Sequence, residues 1–324
     1  MFATAAELSL LQRFLATCGV GHYLPTTVTA GVEITLAALD RLADAVERGA
    51  QPFEAQPVGI HLEGPFLSHS KRGVHPAEHL QEASVGLFDR FQQAARGHIR
   101  LLTLAPELPG ALELIRHAKA AGVCVSLGHT NALAAEALAA IDAGAASATH
   151  TFNAMRALDH REPGVLGTVL DDERVYAELI CDGVHVAPPL VRLWLKAKGA
   201  NRILLVTDSM AATGNGDGEA LLGGLPVTVR GDRALLTGDL AAGKETLAGS
   251  VLTMNRAVEN LQRFTGAALA VALRAASTNP ACLLRRPDLG RLAAGLPANL
   301  NRLDARGRLV ATYLRGLKIP ANPI

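Results

Sequence analysis

Short apolar runs alternate with amphipathic stretches along most of the chain. The continuous runs fall at Tyr23–Val28, Val58–Leu62, Ile99–Leu104, Val123–Leu127, Ala146–His150, Val175–Cys181 and Ile203–Thr207. They are rich in large aliphatic residues and lack polar alternation, the pattern of parallel strands covered on both faces. Between them, Ile34–Arg48, Ala111–Ala121, Ala132–Ala143 and Pro188–Lys198 carry apolar residues at helical spacing. Pro109 and Pro188 suit first helical turns, and Gly49, Gly122 and Gly144 suit helix ends. This alternation predicts an α/β protein of the (β/α)8 TIM-barrel type. A doubly wound open sheet fits less well, because no Gly-rich phosphate loop follows an early strand. Residues 1–18 read as a helix, so seven strands are found and the barrel's first strand is missing.

Two regions break the pattern. Leu225–Leu236 reads as a hairpin with a Gly-Asp turn, which places a β insertion near 219–240. Residues 297–319 read as two or three short strands. The expected organisation is a barrel unit over 1–296, with 297–324 as the remnant of a small β domain.

Several strands end in a reactive side chain, as a barrel requires when it builds a site at one mouth. Glu63, His129 and His150 come from three such ends. One carboxylate and two imidazoles, with a fourth position open to water, suit one divalent metal ion, zinc first and iron or another divalent ion as alternatives. Such an ion lowers the pKa of water from about 15.7 to about 7. Asp208, at the last strand, is placed to take the water's proton and pass it to a leaving group. Any one of these histidines alone reads more readily as a satisfied strand-end residue, whereas the set together points to a metal site.

His61 shares a strand face with Glu63 and is open to three readings: ligand, partner of a ligand, or structural residue. His185 follows Asp182-Gly-Val and suits donation to an anion or hydroxyl, with Asp182 orienting or capping. Arg161 offers a guanidinium fork for a phosphate, although beside Glu162 it also reads as a surface residue. His22, His98, His117 and His160 have no such setting and read as surface or packing residues.

Composition removes other classes. Thirty-one basic residues balance 30 acidic ones without a basic run, which argues against nucleic-acid or membrane-surface partners. No apolar stretch approaches the roughly 20 residues of a membrane span. The N-terminus lacks the cationic start of a secretion signal. Cys18, Cys124, Cys181 and Cys282 have no paired spacing and read as reduced thiols of a cytoplasmic protein.

The motifs resemble those of the N-acetylglucosamine-6-phosphate deacetylases, a family within the amidohydrolase superfamily. The matching stretches are His61-Leu-Glu-Gly-Pro-Phe, Lys71-Arg-Gly-Val-His75, Thr103-Leu-Ala-Pro-Glu107, Gly128-His-Thr-Asn-Ala132, Thr149-His-Thr-Phe-Asn-Ala-Met155, Arg161-Glu-Pro-Gly164, Asp182-Gly-Val-His185, Thr207-Asp-Ser-Met210 and Leu247-Ala-Gly-Ser-Val-Leu-Thr-Met254. They run in family order, and Gly295, Ala298-Asn-Leu300 and Leu303-Asp304 fit the family's terminal β segment. The resemblance implies Glu63, His129 and His150 as metal ligands, Asp208 as the catalytic aspartate, and His75 beside the acetyl carbonyl. It also implies that Arg161 and His185 hold the sugar phosphate and neighbouring hydroxyls, with Val74, Asn153, Ala154, Leu247, Ala248 and Gly249 as further substrate contacts. The implied reaction converts N-acetyl-D-glucosamine 6-phosphate to D-glucosamine 6-phosphate and acetate, in a homodimer.

The chain departs from that pattern at its start. The family's first barrel strand usually carries a His-x-His pair or a substituted version of it, and no His-x-His occurs here. The expectation is therefore one metal per subunit, and either a Met1 that is an internal or misplaced start or a short protein impaired in folding or activity. Asn299 and Asn301 stand where the family often has acidic or apolar residues, a change confined to the tail. Two other readings stay open at this point: another amidohydrolase, or a catalytically impaired sugar-phosphate-binding protein.

Overall fold

The computed structural model describes residues 3–49 and 51–320. Its centre is a parallel sheet of seven strands: β1 (Thr26–Thr27), β2 (Ile60–Glu63), β3 (Ile99–Leu104), β4 (Cys124–Leu127), β5 (Ser147–Ala148), β6 (Tyr176–Ile180) and β7 (Ile203–Val206). Spatial order equals chain order, so each strand pairs with the next one in sequence. That is the topology of a βα barrel, in which every connection passes over the same face. Among the described residues no ladder joins β1 to β7, and the sheet is a curled half-barrel. The curl is visible electrostatically: Asp208, just past β7, feels the charge of Glu63 at the end of β2.

The expected strands lie where the apolar runs lie, but most are shorter. The run at 23–28 is divided. His22–Tyr23 pairs with Gln56–Pro57 outside the main sheet, while Thr26–Thr27 joins it. Pro25 separates the two pieces; it has no N–H for a ladder, yet its carbonyl accepts from His61 N at 3.0 Å.

The helices before and between these strands are α1 (Ala5–Thr17), α2 (Val32–Arg48), α3 (Val85–Ala94), α4 (Ala111–Ala120), α5 (Ala134–Ala143), α6 (Gly164–Asp171) and α7 (Pro188–Lys198). Thr4 and Glu7 close a capping box on α1, satisfying two of its orphan N–H groups. The helices bury Leu39, Phe88, Phe91, Leu114, Ile115 and Trp194 against Ile60, Leu62, Leu102, Leu104 and Leu127 of the sheet. Each such side chain removed from water contributes about 1.5–3 kcal/mol.

Two small antiparallel sheets flank this core. The first contains β8 (Gly218–Leu222), β9 (Leu225–Arg230) and β10 (Arg233–Leu236). Arg230 faces Arg233 across Gly231-Asp232, as the hairpin reading required. The strand at Gly218–Leu222 was not anticipated. Its two-residue turn is Gly223-Gly224, with φ of +58° and +92°, a conformation that hairpin turns take most readily with glycine. The second sheet holds β11 (Leu300–Leu303), β12 (Leu309–Leu314) and β13 (Leu317–Lys318). It docks on the N-terminal helix through Ala16, Leu314 and Ile319, and Asn301 Nδ2 donates to Gly19 O at 2.8 Å. Residues 321–324 of the tail lie outside the described residues.

Candidate metal centre

Glu63, His129 and His150 meet at the C-terminal ends of β2, β4 and β5, all three buried. His129 Nε2 lies 3.0 Å from Glu63 Oε1, His150 Nε2 lies 3.1 Å from the same oxygen, and the two nitrogens are 3.2 Å apart. His129 Nδ1 is 2.9 Å from the carbonyl of Lys71, which can only accept, so Nδ1 carries the proton. His129 Nε2 therefore presents a bare lone pair. Three acceptor-type atoms thus converge, and only the proton on His150 Nε2 can bridge them. A divalent cation satisfies all three at once, and the donor set of one carboxylate and two imidazoles is the kind such ions take in open catalytic sites. The residues fit the group that the sequence implied.

The titration behaviour agrees with that geometry. Burial alone would raise Glu63, but the adjacent imidazoles of His129 and His150, the latter donating from Nε2, hold it well below the usual carboxylate range. Burial opposes protonation of His150, yet its bond to Glu63 and the charges of Glu63, Asp208 and Glu178 carry it up to about 9. The protein holds a proton where a cation would sit.

His75 stands beside this centre, its ring 4.5 Å from that of His129 and its Nε2 4.0 Å from Glu63 Oε1. The backbone N–H of Thr29 donates to His75 Nδ1 at 3.2 Å, and the Thr29 hydroxyl lies 2.8 Å from the same atom. Nδ1 is therefore an acceptor and Nε2 carries the hydrogen. Burial, then the charge of His129, pushes its pKa down to about 3, so His75 is a neutral donor aimed at the site. Asp208 is exposed to solvent. Desolvation and then the charge of Glu63 raise its carboxyl to about 6.

His61 is not placed as a ligand. Its Nδ1 lies 3.2 Å from Thr26 Oγ1 and its Nε2 2.8 Å from Thr103 Oγ1, and the chain continues through Thr149 Oγ1 to Ser126 Oγ. Both ring nitrogens are occupied in this buried polar layer beneath the metal ligands. Burial lowers its pKa to about 4.

Two acidic residues belong to the site that the sequence reading left without a role. Glu107 accepts from Thr130 Oγ1 and from Asn131 N at 2.7 Å, clamping the turn that carries His129. Glu178 is buried on β6, accepts from Ser147 Oγ at 3.1 Å and is pushed up to about 7 by burial. Its signal was one carboxylate inside the otherwise apolar run 175–181.

The remaining expected residues fall into two groups. Asn153 N and Nδ2 both donate to His150 O, at 3.0 and 3.2 Å, and Ala154 O accepts from Thr130 N, tying the His150 loop to the His129 turn. Ser250 N donates to Asp208 O at 2.7 Å, which brings Leu247, Ala248 and Gly249 alongside the aspartate. Val74 packs against the cluster of Met210, Ala212, Val227 and Ala248. Asp182 Oδ1 accepts from Val184 N and His185 N, both at 2.8 Å, and Oδ2 lies 2.6 Å from His185 Nδ1. Asp182 is the orienting residue, leaving His185 Nε2 for other partners. Arg161 is exposed on its loop, where its backbone N–H donates to Asp159.

A barrel-type parallel sheet whose strand ends gather a carboxylate, two imidazoles and a neighbouring aspartate defines the class of metal-dependent hydrolases. Residues 15–321 match the model of the amidohydrolase family, and the chain belongs to that family. It is 37% identical over 318 residues to N-acetylglucosamine-6-phosphate deacetylase of Bacillus subtilis, covering 98% of this chain and 79% of that one. It is 39% identical over 299 residues to N-acetylgalactosamine-6-phosphate deacetylase of Escherichia coli O157:H7, covering 92% and 77%. Among solved structures, the N-acetyl-D-glucosamine-6-phosphate deacetylase of Mycobacterium smegmatis, as an aspartate-to-alanine mutant with N-acetyl-D-glucosamine-6-phosphate bound, superposes with a TM-score of 0.91 at 37% identity. That match covers 98% of this chain and 81% of the other.

Proposed function

We propose that this protein removes the acetyl group of N-acetyl-D-glucosamine 6-phosphate, giving D-glucosamine 6-phosphate and acetate. The observation that carries the reading is the convergence of Glu63, His129 and His150 on one point, beside Asp208 and a neutral His75 donor. The end-to-end likeness to sugar-phosphate deacetylases supports it. Glu63 Oε1 and the Nε2 atoms of His129 and His150 would hold one divalent cation, zinc by the donor set. Once bound, such an ion activates water and polarises the scissile carbonyl.

The chain's own groups do the rest. His75 Nε2–H donates to the acetyl oxygen as negative charge builds there. Asp208 accepts the proton of the attacking water and delivers it to the amide nitrogen as the C–N bond breaks. Arg161 and His185 hold the phosphate and adjoining hydroxyls, with Val74, Asn153, Ala154, Leu247, Ala248 and Gly249 shaping the sugar pocket. We also read the protein as a cytoplasmic homodimer, a reading supported by its four free thiols and by the family resemblance.

Acetate release from four N-acetyl hexosamines tests this: the gluco and galacto forms, each with and without the 6-phosphate. Turnover of the gluco phosphate well above the others is expected. Preference for the galacto phosphate would move the assignment to the epimer, and equal use of the unphosphorylated sugars would remove the phosphate from it. Asp208→Asn should keep its metal and lose about 10²–10⁴ in kcat; wild-type turnover in that variant would refute the proton route.

A further inference from the structure

We propose that the opposite end of the sheet carries a separate binding site for a phosphate dianion, either the free ion or a small phosphomonoester. A cavity of about 230 Å³ lies at the N-terminal ends of β4–β7, lined among others by Lys119, Cys124, Tyr176, Arg202, Cys282 and Arg285. In a barrel the chemistry sits at the C-terminal ends, and β4 itself runs away from this cavity at Cys124 toward His129. The two sites are therefore on opposite faces.

Three cations line the cavity and no carboxylate does. Among the described residues, Lys119, Arg202 and Arg285 have no acidic partner within 4.0 Å. Unpaired like charges around one concavity repel each other and focus a positive potential into it. One of them is also fixed in place. Arg202 Nε donates to Glu173 O at 2.7 Å, and its guanidinium carbon lies 4.7 Å over the ring of Tyr176. Lys119 crosses Gly144 so closely that a Cβ there would stand 2.3 Å from its Cδ and 3.1 Å from its Nζ. The charge of Arg285 reaches Cys124, whose Sγ donates to Leu283 O at 2.9 Å on the cavity wall. A doubly charged oxyanion relieves the repulsion and matches the guanidinium fork, whereas a cation or a neutral sugar does neither.

Cys282 is an exposed thiol on the rim and reports occupancy directly. The test is its alkylation by iodoacetamide, a neutral reagent, followed by peptide mass spectrometry on the intact protein. Rates are compared in inorganic phosphate, in glycerol 3-phosphate and in chloride of equal ionic strength. At ten times the dissociation constant, mass action slows labelling of Cys282 about tenfold. The double variant Lys119→Ala/Arg285→Ala should lose that protection while acetate release is unchanged. Protection by both phosphates assigns the site to phosphomonoesters, and protection by the free ion alone assigns it to inorganic phosphate. Labelling as fast in both phosphates as in chloride, or protection that persists in the double variant, overturns the proposal.

Discussion

Replacing Glu107 by alanine tests how the metal ligands are held. Glu107 touches none of the three proposed ligands, yet its two oxygens hold the hydroxyl of Thr130 and the N–H of Asn131, immediately after His129. His129 itself sits at φ +48°, a conformation that costs a non-glycine residue roughly 1–2 kcal/mol. Thr130 is fully buried, so Glu107→Ala leaves its hydroxyl with no charged acceptor. Hydrogen bonds to a charged group contribute about 1.5–3 kcal/mol each, enough to overturn the local preference that keeps His129 turned inward. Loss of such a supporting contact typically lowers metal affinity about 10–100-fold, which corresponds to about 1.4–2.8 kcal/mol. Competition against a chromophoric chelator measures the affinity, and a thermal melt of the metal-loaded protein measures the stability. Glu107→Gln, which keeps one acceptor oxygen, should fall between the two. Metal affinity in the alanine variant within twofold of the parent would refute the clamp.

Three further outcomes follow from the same geometry. His75→Ala should retain metal and lose about 10²–10³ in kcat with little change in KM, the pattern of a donor used in the transition state; a change confined to KM would exclude that role. Gly128→Ala places a Cβ 2.8 Å from both Thr103 Cγ2 and Thr149 Cβ, so overpacking should destabilise the fold by about 1–3 kcal/mol in a denaturant titration; an unchanged midpoint would contradict it. His150 is raised from 6.5 to about 9, so its contribution to the metal-free fold is full below pH 6.5 and is lost as pH rises through about 9. Metal uptake at pH 7 must accordingly expel about one proton, which calorimetry in buffers of different ionisation enthalpy counts. Uptake without proton release at pH 7 would show that His150 is already neutral.

Most of the sheet was legible because buried parallel strands are written as unbroken apolar runs. Ile99–Leu104 is the same segment in both readings, and β4 and β7 differ from expectation by one residue at one end. What could not be read were features set by tertiary contacts. The run at 146–150 yields only two strand residues, because Thr149 and His150 already belong to the turn. Gly218–Leu222 shows no strand alternation of its own and is ordered by pairing with Leu225–Val229 across the Gly-Gly turn. The three candidate ligands could be named because carboxylate and imidazole side chains are rare at the ends of apolar runs. Glu107 could not be assigned a role, since its partners are a hydroxyl and a backbone N–H, 23 and 24 residues away. The polar layer of His61, Thr103, Thr149 and Ser126 is likewise a tertiary product: three strands and the turn after β5 bring those hydroxyls and one ring into hydrogen-bond contact.

One local device recurs at the mouth of this sheet. His129, His150 and Asp208 each stand two residues past the last residue of their strands, Leu127, Ala148 and Val206. All three have positive φ, +48°, +30° and +48°. An extended continuation would send each side chain into one of the two packed layers, because successive residues alternate between the faces. The left-handed turn takes the backbone off the sheet and leaves the side chain over the open end. Histidine and aspartate tolerate that region better than bulkier or β-branched residues, so the residues that suit the chemistry also suit the turn. The strain must be opposed by contacts on the following residues, and each turn has them. Thr130 N is bound by Ala154 O, Thr151 N by Glu178 O, and Met210 N by Ser250 O. The three side chains are thus held in part by their neighbours' backbones, in keeping with the roles proposed for His129 and His150 as ligands and for Asp208 as proton carrier.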